Sequence, residues 1–170
     1  MIIALSVFTW VKFVCTVRSD NALKYNEEVM DLFDVSSDFY LAQCISADFG
    51  MGQGIAVEYN NRFDMKNRLV AKYSPYVPIY DSNAHGVCCI LEDRVLNLIT
   101  KRHYYAKPTL TSMELALREM RDVCLVNNIT KIAMPLIGCG LDRLRWSDVK
   151  YLIHNIFDNT DIEILVCKRP

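Results

Sequence analysis

From about Ala22 onward the chain alternates between two hydrophobic rhythms. Tyr40–Ile45 is a short, mostly apolar run bounded by polar and turn residues, which predicts a buried strand. The glycine-rich turn Gly50–Gly54 follows, and then Ile55, Ala56, Tyr59 and Phe63 recur on one helical face. Met65–Ser74 predicts a second helix, ended by Pro75 and Pro78. Val87–Glu92 and Val95–Thr100 flank Asp93-Arg94 as the arms of a hairpin. Thr111-Ser112-Met113-Glu114 has the form of a capping box, so a helix is expected to start there, with Met113, Ala116, Leu117, Met120 and Cys124 inward and Asn127-Asn128 at its end. Lys131–Ile137 reads as a strand broken by Gly138-Cys139-Gly140. A last helix begins near Ser147, with Val149, Leu152, Ile153, Ile156 and Phe157 at helical spacing, and Ile162–Cys167 closes the chain as a strand. Strands alternating with helices in this way predict an α/β domain with helices on both faces of one sheet.

The first residues do not fit that alternation. Met1–Val17 is apolar and β-branched, with Lys12 in its middle. It has the apolar core and a passable cleavage site of a signal segment but no basic start, and Lys12 interrupts it too early for a membrane span of about 20 residues. An extra strand or appended segment is the favoured reading, which divides the chain into an extension (1–21) and one domain (22–170). With 170 residues, 52% of them apolar, the chain is long enough for one full core. A net charge of −1 gives no basic excess, so a non-specific nucleic-acid binder is not indicated and any nucleotide must be held by local groups. The seven cysteines form no C-x-x-C pair, and their odd number fits free thiols in a reduced compartment better than a disulfide framework. Cys88 and Cys89, adjacent on a strand, are expected to face opposite sides.

Ligands of open α/β sheets bind beyond the carboxyl ends of the strands. Three segments leave such ends with unusual residues: Ser46–Gly54, Thr100-Lys101-Arg102-His103, and Gly138–Arg143. Glycine lets backbone N–H groups approach phosphate oxygens, and a following helix adds its positive end. Tight turns alone would explain either glycine loop by itself; the two together point to a diphosphate. Lys101 is either a solvated strand-end lysine or a nucleophilic amine, which must be unprotonated to attack. Asp142 either caps and pairs with Arg143 or Arg145, or serves as a general base. Asp31 caps a turn or accepts a hydrogen bond from a base amine. The histidines offer less: His154 on a polar helix face, His85 in a loop, His103 near Lys101. Cys139, between two glycines, is more economically a small turn residue than a nucleophile. No G-x-S-x-G elbow supports a serine hydrolase, and the missing third glycine argues against a Rossmann oxidoreductase.

Three motifs in order, Gln43-Cys44-Ile45-Ser46-Ala47-Asp48-Phe49-Gly50-Met51-Gly52-Gln53-Gly54-Ile55-Ala56-Val57, then Leu98-Ile99-Thr100-Lys101-Arg102 with Lys107-Pro108-Thr109, then Met134–Leu144, resemble the macrodomain family in its terminal ADP-ribose protein glycohydrolase (O-acetyl-ADP-ribose deacetylase) branch. The resemblance spans about Leu23 to Val166. It implies a three-layer α/β/α macrodomain with a mixed central sheet, acting on ADP-ribose. Asp31 and Leu32 would then meet the adenine. Ser46, Met51, Gly52, Gly54 and Ile55 would line the distal ribose and phosphates, with Thr100 beside the reactive lysine. Ile137, Gly138, Cys139, Gly140 and Leu141 would cradle the diphosphate. Lys101 would attack the distal ribose C1″ and release a Glu or Asp carboxylate, and Asp142 would help resolve the lysyl adduct. The same site in relatives cleaves O-acetyl-ADP-ribose.

No metal or organic cofactor is implied. Cys44–Asp48 stands where most macrodomains carry an asparagine-rich loop, which favours the lysine-dependent branch. Leu136 replaces a basic residue and Leu110 an aromatic one common in that branch. The expected partners are ADP-ribose and ADP-ribosylated proteins, with nucleic acid only as a modified substrate, no membrane, and a monomeric state. The alternatives are a non-catalytic ADP-ribose reader and a hydrolase acting on nucleic-acid bases. A cytoplasmic or nuclear location is expected, with secretion left open by Met1–Val17.

Overall fold

The computed structural model describes residues 22–73 and 87–170, so the apolar segment Met1–Val17 and the residues Pro75, Pro78 and His85 lie outside the described residues. The elements run β1 (Tyr25–Val29), a single 3-10 turn (Leu32–Asp34), β2 (Tyr40–Ser46), α1 (Ile55–Phe63), α2 (Met65–Tyr73), β3 (Cys89–Glu92), β4 (Val95–Lys101), α3 (Leu110–Val126), β5 (Lys131–Met134), α4 (Trp146–Phe157) and β6 (Glu163–Lys168). They form one six-stranded sheet in the order β1-β6-β5-β2-β4-β3. Every neighbouring pair is parallel except β3 with β4, which makes the sheet mixed.

Side chains alternate across each strand, so each face of the sheet needs its own cover. Ala42, Leu96, Leu98, Ile132, Met134, Ile164 and Val166 pack against the apolar stripes of α3 and α4. Leu41, Ile45, Ile90, Val95, Ile99 and Ala133 pack against α1 and α2 through Tyr59, Met65 and Leu69. The result is the expected three-layer α/β/α sandwich. On the α1/α2 side the buried Gln43 and Asn97 are register partners, and the Gln43 amide donates to Asn97 Oδ1 at 2.8 Å. Asn97 in turn donates to the carbonyls of Ile90 and Val95, both at 3.2 Å. The two amides therefore lock β2, β4 and β3 together in one layer.

Several local expectations are corrected. The capping box of α3 uses Thr109, not Thr111: Thr109 Oγ1 accepts from the Ser112 N–H and the Ser112 hydroxyl oxygen accepts from the Thr109 N–H. A serine thus fills the place expected for Glu114. β5 ends at Met134 rather than Ile137, because Pro135 has no N–H to continue a ladder. Cys88 precedes β3 instead of lying on it, so the alternation rule does not reach it, and both Cys88 and Cys89 enter the α3/α4 core. Cys44, Cys89, Cys124, Cys139 and Cys167 are free thiols.

At the far edge, β1 is fastened by the mostly buried Glu27. Its carboxylate accepts from Lys168 at 2.7 Å, Tyr25 at 2.6 Å, Lys150 at 2.9 Å and Trp146 at 3.2 Å. These bonds, that from Lys168 foremost, outweigh the burial penalty and hold the Glu27 carboxyl well below the usual range. Burial, with Glu27 beside it, pushes the Tyr25 phenol well above its ordinary value.

Candidate functional site

Five parallel strands deliver their carboxyl ends to one edge of the sheet, as crossover connections require. A cleft of about 1320 Å³ opens there, wider than the roughly 300–1,000 Å³ common for small-molecule sites. It takes its lining from Asp31 after β1, Ser46 at the end of β2, Lys101 at the end of β4, the segment after β5, and Arg169-Pro170 after β6. Its lining thus draws on five of the six strands.

At its floor Lys101 Nζ lies 2.6 Å from Asp142 Oδ1. The two side chains are only 14% and 13% exposed, so the contact is shielded from bulk water and its electrostatics are screened less than at a surface. A one-residue register shift sets up this position: Ile45 pairs with Ile99, but Ser46 pairs with Lys101, so Lys101 rather than Thr100 stands opposite Ser46. Bulges of this kind re-aim a side chain beside a site. Thr100 is buried, as is Met51, and neither lines the cleft.

Two glycine-containing loops form the walls. Gly54 caps α1 with φ 61° and no side-chain cap, which leaves the first N–H groups of that helix open beside Ile55 and Ala56 in the cleft. Gly138 has φ 72°, a conformation an L side chain adopts only with strain, and a Cβ there would lie 2.5 Å from Met113 Cε. Its carbonyl accepts from Leu144 N at 2.8 Å, closing the turn. Cys139 lies in this loop, and burial pushes its thiol up to about 11, which removes it as a ready thiolate nucleophile.

The loops brace one another. Ala47 N donates to the Lys101 carbonyl at 3.0 Å, Tyr104 N to Asp48 Oδ2 at 3.0 Å, and Lys107 Nζ to the Leu141 carbonyl at 2.5 Å. Burial disfavours the charged form of Asp48, yet the Ser46 hydroxyl and the N–H groups of Tyr104 and Gly50 together hold its carboxyl below the usual range. Asp31 sits at the opposite end of the cleft and caps the 3-10 turn, with one oxygen accepting from Phe33 N at 2.9 Å.

Of the residues singled out in the sequence, Asp31, Leu32, Ser46, Gly52, Gly54, Ile55, Lys101, Ile137, Gly138, Cys139, Gly140, Leu141 and Asp142 meet in this cleft. Reasoning from sequence missed Phe33, Arg62, Tyr104 and Tyr105. Tyr104 and Tyr105 carry a signal that could have found them: paired aromatics in a polar loop directly after a strand-end lysine. His103 is stacked on Tyr105, and the exposed His154 lies against Tyr25. Among the described residues no group of three or more His, Cys, Asp or Glu side chains could hold a metal, and no helix is long and apolar enough to cross a membrane.

The same architecture occurs in the macrodomain of Mycobacterium tuberculosis DarG, with a TM-score of 0.70 and 20% identity over 87% of this chain and 99% of that one. Thermosipho africanus DarTG, solved in complex with ADP-ribose, matches with a TM-score of 0.64 and 21% identity over 89% of this chain and 42% of that one. No family model matches the chain. Human ADP-ribose glycohydrolase OARD1 is 38% identical over 138 residues, which cover 80% of this chain and 86% of that protein. The chain belongs to the macrodomain family. This macrodomain is also 37% identical, over 75 residues, to an uncharacterised protein of Invertebrate iridescent virus 6, covering 44% of this chain and 75% of that one.

Proposed function

We propose that this macrodomain is an ADP-ribose hydrolase that frees Glu and Asp carboxylates from ester-linked ADP-ribose, with Lys101 as nucleophile and Asp142 as its proton partner. The observation that carries the reading is the shielded 2.6 Å contact between Lys101 Nζ and Asp142 Oδ1 at the floor of the cleft. Similarity to ADP-ribose glycohydrolase OARD1 supports hydrolysis of ADP-ribose adducts in general. A reader of ADP-ribose needs the glycine loops but has no use for a reactive pair beneath them.

In this mechanism the uncapped start of α1 and the Gly138–Leu141 loop hold the diphosphate, and Asp31 takes the adenine amine. Asp142 accepts a proton from Lys101. The free amine then attacks C1″ of the distal ribose, the C1″–O bond to the acyl group breaks, and the carboxylate departs with the electron pair. Asp142 passes that proton to the departing carboxylate and so regains its charge; it then takes a proton from the water that attacks C1″, and the lysyl–C1″ bond breaks with its electron pair returning to the Lys101 amine.

The test is intact-mass analysis during reaction with a glutamate-linked mono-ADP-ribosylated target. Wild-type protein is expected to release ADP-ribose and Lys101→Ala to release none while still binding it. Asp142→Ala is expected to be slowed on the order of 10²–10⁴-fold and to accumulate one ADP-ribose mapped to Lys101. Tight binding of ADP-ribose without release from this target would overturn the ester reading, and release from base-linked nucleic acid alone would move the substrate to that class.

A further inference from the structure

Resting on the reading of Lys101 as the reacting centre, we infer that Tyr104 and Tyr105 form an aromatic lip that binds the peptide carrying the ADP-ribosylated carboxylate. Both rings line the mouth of the cleft and stand 66% and 70% exposed. Large aromatic groups left in water on a braced loop are a cost to solubility, and they are typical of contact surfaces. The loop beneath them is held from below. Tyr104 N donates to Asp48 Oδ2, and the Tyr104 Cβ packs so closely over Gly50 that a Cβ on that glycine would lie 2.7 Å from it. The rings are therefore presented in fixed positions: Tyr104 meets Tyr105 edge-on at 5.3 Å, and His103 stacks on Tyr105 at 5.3 Å with 9° between planes.

Their place in the chain decides what reaches them. The lip follows Lys101 within four residues and lies over the loop assigned to the distal ribose, at the end of the cleft opposite Asp31. Whatever leaves C1″ must exit past it. Charge favours a peptide over a nucleic-acid strand. Lys101 is engaged by Asp142 and Lys107 by the Leu141 carbonyl, while the Asp48 carboxylate lies below the rings. This leaves Arg102 and Lys107, the latter still charged although bonded to a neutral carbonyl, as the exposed cations of the loop, too few for a phosphodiester track, and the chain's net charge is −1. Tyrosine contacts suit an extended peptide because they add area at a low cost in side-chain entropy.

The experiment measures binding in the Lys101→Ala background, where no turnover intervenes, by calorimetry with free ADP-ribose and with a mono-ADP-ribosylated peptide. The peptide is expected to bind more tightly than free ADP-ribose. Adding Tyr104→Ser and Tyr105→Ser is expected to lower the ratio of the two affinities by roughly tenfold, and the corresponding double phenylalanine variant to restore most of it. Equal weakening of both ligands, or no change in the ratio, would overturn the proposal. A loss seen only with an ADP-ribosylated oligonucleotide would also overturn it and assign the lip to nucleic acid. Hydrolysis by the wild type is read separately, so failure of the lysine mechanism and failure of the lip give different results.

Discussion

Gly138→Ala separates the conformational role of the second glycine loop from its contact with ligand. Gly138 sits at φ 72°, and an added Cβ would approach Met113 Cε to 2.5 Å and Leu144 Cδ1 to 3.0 Å. The left-handed backbone costs an alanine about 1–2 kcal/mol. Overpacking adds about 1–3 kcal/mol, and the lower part of that range applies because the end of a methionine side chain can move aside. A destabilisation of about 2–3 kcal/mol follows, which for a domain of this size lowers Tm by roughly 4–12 °C. Gly140→Ala is the matched control: nothing lies within 4 Å of its added Cβ and its φ is not in the left-handed region. It is expected to change stability by less than about 0.5 kcal/mol. Because Gly140 lines the cleft, its new methyl group would obstruct a diphosphate held as proposed, and affinity for ADP-ribose is expected to fall roughly tenfold. Urea unfolding and calorimetric titration of both variants measure the two quantities. A Gly138→Ala protein as stable as wild type would refute the strain argument; a Gly140→Ala protein with unchanged affinity would refute the cradle.

Two further outcomes follow from the partly exposed Glu27 and the buried Asn97. Glu27 is held well below its usual pKa in the folded state, so its contribution to stability is fully present above the ordinary carboxylate range and is lost progressively as pH falls from that range down through its depressed folded-state pKa. Glu27→Gln should therefore cost about 1–3 kcal/mol near neutral pH and progressively less in acid; an equal loss at both, from urea unfolding, would contradict this linkage. Asn97→Ala leaves the Gln43 amide without its partner in the core and should cost about 1–3 kcal/mol, which an unchanged denaturation midpoint would disprove.

The sheet and its helices were legible because each face of the sheet is covered by a helix with a clear stripe, as with Met113, Ala116, Leu117, Met120 and Cys124 on α3. Lys101 and Asp142 could be singled out because each departs from an apolar or glycine-rich surrounding. Their contact could not be, since it depends on a register shift at Ser46 that no periodicity encodes. The start of α3 was misplaced because Thr109 and Thr111 both fit a cap locally, and only the Ser112 hydroxyl decides between them. Glu27 was overlooked for a different reason: its partners Trp146, Lys150 and Lys168 lie more than a hundred residues away in sequence.

The bonds that brace the loops, Ala47 to Lys101, Tyr104 to Asp48 and Lys107 to Leu141, are all made within the protein itself. They bear on kinetics. Among the described residues, walls fastened to one another before any ligand arrives need no ordering step on entry, so entry past them is governed by diffusion into an open groove. On the proposed reading, free ADP-ribose would depart only as fast as contacts with the two glycine loops allow, and the grip that holds the substrate over Lys101 would also set a ceiling on turnover.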